Sequence, residues 1–193
     1  MVLAHSELKI LIEKNNLVDN INIDYALQGS SLDLCIGETA KIHRKTDLID
    51  LSKDVDLEGF YEEIELAKKY ELKSGEYMYA STIEKVNIPH DKCAILLPRS
   101  SFARMGLILP VSQYANPGYQ GHLPIVIFNA SPSPVYIPPY YRVMQMIIME
   151  LKGVATTYGE QKNHKYHNEN SGTIPSFDDV EIEQIRAKLY AKL

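Results

Sequence analysis

Arg99-Ser100-Ser101, followed at short spacing by Arg104, brings two permanent positive charges and two hydroxyl donors into one segment. Guanidinium forks and hydroxyls match the oxygens of a phosphate group, so the run has the inventory of a polyphosphate clamp. By itself such a tripeptide also reads as a solvated turn, because short motifs recur by chance. A second run, Asn116-Pro117-Gly118-Tyr119-Gln120-Gly121, places a Pro-Gly turn and an aromatic ring a short distance downstream. Zinc-dependent deamination needs His-x-Glu and Pro-Cys-x-x-Cys ligands, and neither pattern occurs. His164 and His167 lie in a polar stretch without further ligands and read as solvated. Chemistry at this clamp is therefore expected to use no zinc.

The elements that must position these groups are mainly strands. Short Val, Ile and Tyr runs are punctuated by Pro89, Pro110, Pro117, Pro132, Pro134, Pro138 and Pro139, which mark turns because proline cannot donate to a central ladder. That spacing favours a jelly-roll-like β-barrel over a parallel sheet. Around it, Leu8, Leu11 and Ile12 predict an amphipathic helix over 6–15, with Ser6 as N-cap. Leu57, Phe60, Tyr61, Ile64 and Ala67 predict a second helix or ordered insertion over 57–70. Ser176 and Asp179 form an approximate capping box for a last helix over 176–193, with Val180, Ile185 and Leu189 facing inward. The polar stretch 158–175 reads as a mobile tail able to order over a ligand.

With 193 residues the chain is long enough for one well-buried domain, expected to span 1–193. A formal charge of -5 argues against a surface that coats nucleic acid, while leaving room for a local basic pocket. Cys35 and Cys93 lie far apart and read as reduced thiols. No apolar run approaches a membrane span, and the amino-terminal residues lead into a charged amphipathic stretch rather than a signal peptide. A cytoplasmic protein without membrane or nucleic-acid partners is expected.

The segment from Pro98 to Leu107 resembles the phosphate motif of the dCTP deaminase and trimeric dUTPase superfamily, Arg-Ser-Ser-Leu-Ala-Arg-x-Gly-Leu, and Asn116 to Gly121 resembles its Asp-Pro-Gly-Tyr/Trp-x-Gly motif. Gln28 to Gly37 is similar to the opening Ser-x-Asp-Leu-x-Leu-Gly strand. Ile49 to Ser52, Leu72 to Glu76 and Glu84 to Pro89 resemble the strands that follow. Arg142-Val143-Met144-Gln145 is similar to the Arg-x-x-Gln element of dUTPases, and Tyr158 with Lys165-Tyr166 resembles the deaminase tail. The likeness covers roughly residues 7 to 175, in order, and is closer to the deaminase branch.

This resemblance implies a dUTPase-like distorted jelly-roll β-barrel with a few peripheral helices, assembled as a homotrimer. It also implies binding of dCTP, dUTP or another deoxynucleoside triphosphate, with Mg²⁺ held through the triphosphate rather than directly. Arg99, Ser100 and Ser101 would contact the phosphates, and Arg104 would lie beside the base and catalytic water. Asn116 and Tyr119 would line the nucleoside, while Tyr158 and Lys165 would close the tail. Asp33 is implied either as a metal-water ligand, as in dUTPases, or as a strand-end hydrogen-bonding group, the reading preferred for a deaminase-like chain.

The catalytic carboxylates depart from the pattern. The deaminase glutamate corresponds to Val126 and the dUTPase aspartate to Asn116. An amide can orient water but cannot take its proton at neutral pH. Loss of a positioned base removes about 10² to 10⁴ in rate. Gln113 and Tyr114 replace part of the family's stretch beside the base, and Glu169 stands where a tail glutamine is expected. Three functions remain open: a deaminase-like nucleotide-binding protein, a catalytically inactive sensor or protein-binding homologue, and a dNTP pyrophosphatase with a changed base. For the last, another carboxylate or His122 would be the base; His122 shares strand parity with Val126 but sits about 13 Å away by strand rise, a poor substitute unless the strand bends.

Overall fold

The computed structural model describes residues 1–44, 48–50, 57–110, 114–161, 165–166, 168, 183–184, 186–188 and 191. Its elements in order are α1 His5–Asn15, β1 Val18–Asp19, α2 Ile23–Ala26, β2 Leu32–His43, β3 Tyr61–Glu65, β4 Glu71–Leu72, β5 Tyr77–Asn87 and β6 Lys92–Pro98. There follow α3 Ser100–Arg104, β7 Leu107–Ile108, β8 Tyr114–Ala115, β9 Gln120–Asn129, β10 Val135–Tyr136 and β11 Arg142–Glu150. Seven strands form one antiparallel path, β7-β9-β5-β2-β11-β6-β8, with β1 added on β5 and β3 on β2. The sheet curls into a half-barrel, mainly β as expected.

Alternation along the strands divides the sheet into a buried face and a face that is half-exposed. Leu123, Ile125 and Ile127 of β9 are buried, as are Met144, Met146 and Ile148 of β11, while His122, Pro124, Val126 and Phe128 are half-buried. This is the period-2 pattern of strands with one core face. Leu8, Leu11 and Ile12 of α1 close onto that core as their spacing predicts. The helix starts one residue earlier than expected, with Ala4 rather than Ser6 at the cap and no side-chain capping bond.

Segment 57–70 is not an α-helix. Two short 3-10 turns, Glu58–Phe60 and Leu66–Lys68, flank β3, which pairs residue by residue with β2 from Tyr61↔His43 to Glu65↔Thr39. Tyr61 packs edge-on against both His43 and Tyr79, at 5.6 and 5.2 Å between ring centroids. Cross-strand aromatic pairs and β-propensity outweigh the helical spacing here, and Leu66, not Ala67, is the residue that turns inward.

Proline is confined where the pairing allows it. Pro124 lies within β9, opposite Ser81, where β7 does not extend along the other side of the strand. Immediately beyond, the pairing shifts from Ser81↔Pro124 to Lys85↔His122, so β5 inserts extra residues against β9. Ile49 and Asp50 carry no strand, and Leu51 and Ser52 lie outside the described residues. Ser176, Asp179, Val180, Ile185 and Leu189 also lie outside them, although Glu183–Gln184 and Arg186–Lys188 are helical.

Candidate functional site

Arg99 follows the last residue of β6, Pro98, and stands at the N-cap position of α3, so Ser100 and Ser101 open the helix as exposed hydroxyls while Phe102 anchors it in the core. The backbone of Arg99 is tied to β11 by Arg99 N–H donating to the Val143 carbonyl at 3.1 Å. Its guanidinium is fixed twice: Nε faces Asp33 Oδ2 at 3.2 Å, and Nη1 donates to the Arg142 carbonyl at 3.3 Å. Arg142 Nη1 reaches the same Asp33 oxygen at 3.2 Å and the Tyr25 carbonyl at 2.6 Å. One carboxylate thus gathers two guanidiniums at the strand junction. Asp33 is 4% exposed against 27% for Arg99 and 36% for Arg142, so the acid is the buried partner and the cations face outward. Burial pushes the Asp33 carboxyl up from its ordinary value, against the pull of Arg99 and then Arg142. Arg104 is exposed at the far end of α3.

The Asn116–Gly121 turn is built differently. Gly118 adopts φ +72, a left-handed conformation that a side chain would strain, and a Cβ there would stand 2.8 Å from the Thr157 Cβ. That close approach lets the tail dock: Tyr158 N–H donates to the Pro117 carbonyl at 2.7 Å, and the Tyr119 and Tyr158 rings lie 5.8 Å apart. Thr157 and Glu160 form a reciprocal capping box that sets this turn. Tyr158 Oη accepts the backbone N–H groups of Lys165 and Tyr166 at 3.3 and 3.1 Å, and Asn168 N–H donates to the Gln120 carbonyl at 2.8 Å.

The predicted residues therefore fall into two groups. Arg99, Ser100, Ser101 and Arg104 belong to α3; Asn116, Tyr119, Tyr158 and Lys165 belong to the turn and tail. Pairing of Ala115 with Ala94 puts Asn116 beyond the middle of β6, whereas Arg99 follows its end. At a strand rise of about 3.3 Å per residue, Asn116 and Arg99 lie on the order of 20 Å apart within one chain. Val126 is half-buried on β9, opposite Tyr79. Tyr114 is exposed in β8, and Gln113 and Glu169 lie outside the described residues.

A third group escaped the sequence reading. Glu84, 3% exposed in β5, accepts the Cys35 N–H on both carboxylate oxygens, at 3.1 and 3.0 Å. Burial raises its carboxyl, opposed by the Cys35 bonds and by the nearby His122. Burial, and then Glu84, push the Cys35 thiol up to about 12. The available signal was a lone acid within the Thr82-Ile83-Glu84 strand, since an acid inside a strand core requires a dedicated partner. Asp33 was recognised, but its double pairing joins residues distant in sequence and needed the fold.

Comparisons with known proteins point to one family. The family model described as dCTP deaminase-like matches residues 2–151. A protein of Nanoarchaeum equitans named "dCTP deaminase, dUMP-forming" is 30% identical over 190 residues, covering 90% of this chain and 96% of that one. One of Dictyoglomus turgidum with the same name is 33% identical over 182 residues, covering 90% and 93%. The solved 2'-deoxycytidine 5'-triphosphate deaminase of Agrobacterium tumefaciens superposes with a TM-score of 0.63 at 22% identity, over 76% of this chain and 48% of that one.

Proposed function

Because the chain belongs to the dCTP deaminase-like family, we propose that it binds a deoxynucleoside triphosphate in sites shared between copies of a homotrimer and deaminates dCTP little or not at all. The observation that carries the binding half is the pre-set Arg99. Its contacts among the described residues use Nε and Nη1, leaving Nη2 for a phosphate oxygen beside the exposed hydroxyls of Ser100 and Ser101. A guanidinium held before the ligand arrives loses little freedom on binding. Separation of the phosphate and nucleoside groups within one chain supports a site completed by a second copy.

Mg²⁺ would enter with the triphosphate. Asp33, the carboxylate at the phosphate group, is engaged by two guanidiniums, so phosphate oxygens would hold the ion and the protein none of it directly. When bound it would neutralise phosphate charge. The protein would act in the cytoplasm as one domain over 1–193, with 158–175 closing over the nucleotide.

The weak deamination follows from Val126. It stands opposite Tyr79 on the half-exposed face, where the family pattern places a glutamate, and a branched hydrocarbon takes no proton. Incubation with each dNTP and Mg²⁺, with ammonia and pyrophosphate measured beside a binding isotherm, tests the reading. Nucleotide binding with negligible ammonia is expected. Robust ammonia release from dCTP would overturn it, and sedimentation as a concentration-independent monomer with ligand present would remove the shared site.

A further inference from the structure

Strand β2 changes neighbours where Cys35 meets Ile36. Leu32 to Cys35 register against β11, whereas Ile36 and Ala40 to Ile42 register against β5. Both ladders are irregular beside that point, with shifts between Arg142 and Met144 on β11 and between Ile36 and Ala40 on β2. A junction of this kind leaves backbone groups that the ladders do not serve, and an N–H left unbonded away from water is costly. Here the Cys35 N–H is taken by a side chain. Both carboxylate oxygens of Glu84 accept it, at 3.1 and 3.0 Å, and the Cys35 thiol bonds the same carboxyl. Glu84 is held in turn, because the Thr82 hydroxyl donates to its carbonyl at 2.7 Å and accepts the Leu123 N–H at 2.9 Å.

On the β11 side the junction runs into the phosphate group. Cys35 is the partner of Arg142 across the ladder, and Asp33 lies two residues along the same strand. Asp33 Oδ2 faces Arg99 Nε and Arg142 Nη1, each at 3.2 Å. Two successive carbonyls of the irregular β11 stretch then close on Arg99: that of Val143 takes its N–H at 3.1 Å, and that of Arg142 takes its Nη1 at 3.3 Å. A shift of β2 at Cys35 therefore moves Asp33 and the Arg142 pairing together, and Arg99 is attached to both. Among the described residues Glu84 bonds neither arginine, so it reaches them through β2.

We infer that Glu84 is a positioning residue for triphosphate binding: by anchoring the Cys35 N–H it fixes the part of β2 that presents Asp33 to Arg99. At 3% exposed it meets no ligand itself. Charge-assisted bonds from a guanidinium to phosphate oxygens depend on distance and angle, so an Arg99 that is charged but displaced binds poorly. The inference rests on the nucleotide-binding reading above.

The experiment measures dissociation constants of dCTP, dUTP, dCMP and dUMP with Mg²⁺ for wild type, Glu84→Ala, Glu84→Asp and Glu84→Gln at neutral pH. Melting temperatures are taken on the same preparations. Alanine removes the acceptor. Aspartate retains the charge but is one methylene too short to hold the Cys35 N–H, and glutamine retains the reach and one acceptor oxygen. The expected result is a rise of at least about tenfold in the triphosphate constants of the alanine and aspartate variants. Monophosphate constants should rise less than about threefold, and glutamine should stay within about threefold of wild type throughout. In an Arg99→Ala chain, adding Glu84→Asp should change the triphosphate constants by less than about twofold, because the group it positions is gone. Where Glu84→Ala does not fold, Glu84→Asp carries the test. Triphosphate constants within about threefold of wild type in the aspartate variant overturn the positioning role. So do equal weakening of tri- and monophosphates, a glutamine variant as weak as aspartate, or effects that multiply in the double variant. A wild type that binds none of the four nucleotides overturns the reading beneath it.

Discussion

The end of β6 and the Asn116–Gly121 turn hold their residues by opposite means. At the first, Asp33 gathers Arg99 and Arg142 through charge, and the guanidiniums remain a quarter to a third exposed. At the second, backbone hydrogen bonds and ring contacts seat the tail on the turn, with Gly118 providing the close approach. The first presents two guanidiniums, while the second begins at an amide, Asn116, and carries no carboxylate through Gly121. Recognition of a triphosphate needs fixed charge, whereas turnover needs a group that exchanges a proton. The first half thus offers fixed charge, and the second offers no carboxylate of its own.

Breaking the charged half should give the largest effect. Arg99→Ala removes a charge-assisted contact of roughly 1.5 to 3 kcal/mol, so the triphosphate dissociation constant measured by calorimetry should rise at least tenfold. An unchanged constant would move the phosphate site elsewhere. Asp33→Asn keeps the shape but removes the charge that both guanidiniums face. Because those cations can recover hydration, the loss of stability in denaturant should stay near about 1.5 kcal/mol. A much larger loss would mean that the arginines are not hydrated once freed.

The sequence disclosed the charged half more fully than the rest. Contiguous motifs such as Arg99 to Arg104 are local, and alternating apolar strands between Pro and Gly turns announce a β architecture without an alignment. What stayed hidden depends on pairing between distant strands. Tyr61 and Ile64 fit a helical period equally well, and only the rings of His43 and Tyr79 across the sheet decide for β3. The Glu84–Cys35 bond joins β5 to β2, and the Thr82 carbonyl that orients His122 belongs to a bulge with no local sequence signature.

The turn half is probed by Gly118→Ala. A left-handed conformation costs a residue with a Cβ about 1 to 2 kcal/mol, and the added carbon meets Thr157 at 2.8 Å. Stability should fall by about that amount, and amide exchange of Tyr158, whose N–H is bonded to the Pro117 carbonyl, should accelerate more than that of the β6 amides. Equal acceleration in both places would show that the turn and sheet open together, and would remove the contrast between the halves.

The smallest effect concerns Glu84, and it appears as a slope with pH. Burial raises its carboxyl above the ordinary 4.5, so the folded chain retains this proton to higher pH than the unfolded chain does. A raised acid contributes stability at low pH that is lost as pH rises through the folded value, because the folded state then binds more protons than the unfolded one. Glu84→Gln has no proton to lose. Its melting temperature relative to wild type should therefore climb as pH is raised from about 4 to about 8. A constant offset, due to a side-chain amide offering the Cys35 N–H one oxygen instead of two, is superimposed on that trend. Wild type gaining on the variant as pH rises would mean that the charge on Glu84 is stabilised in the fold.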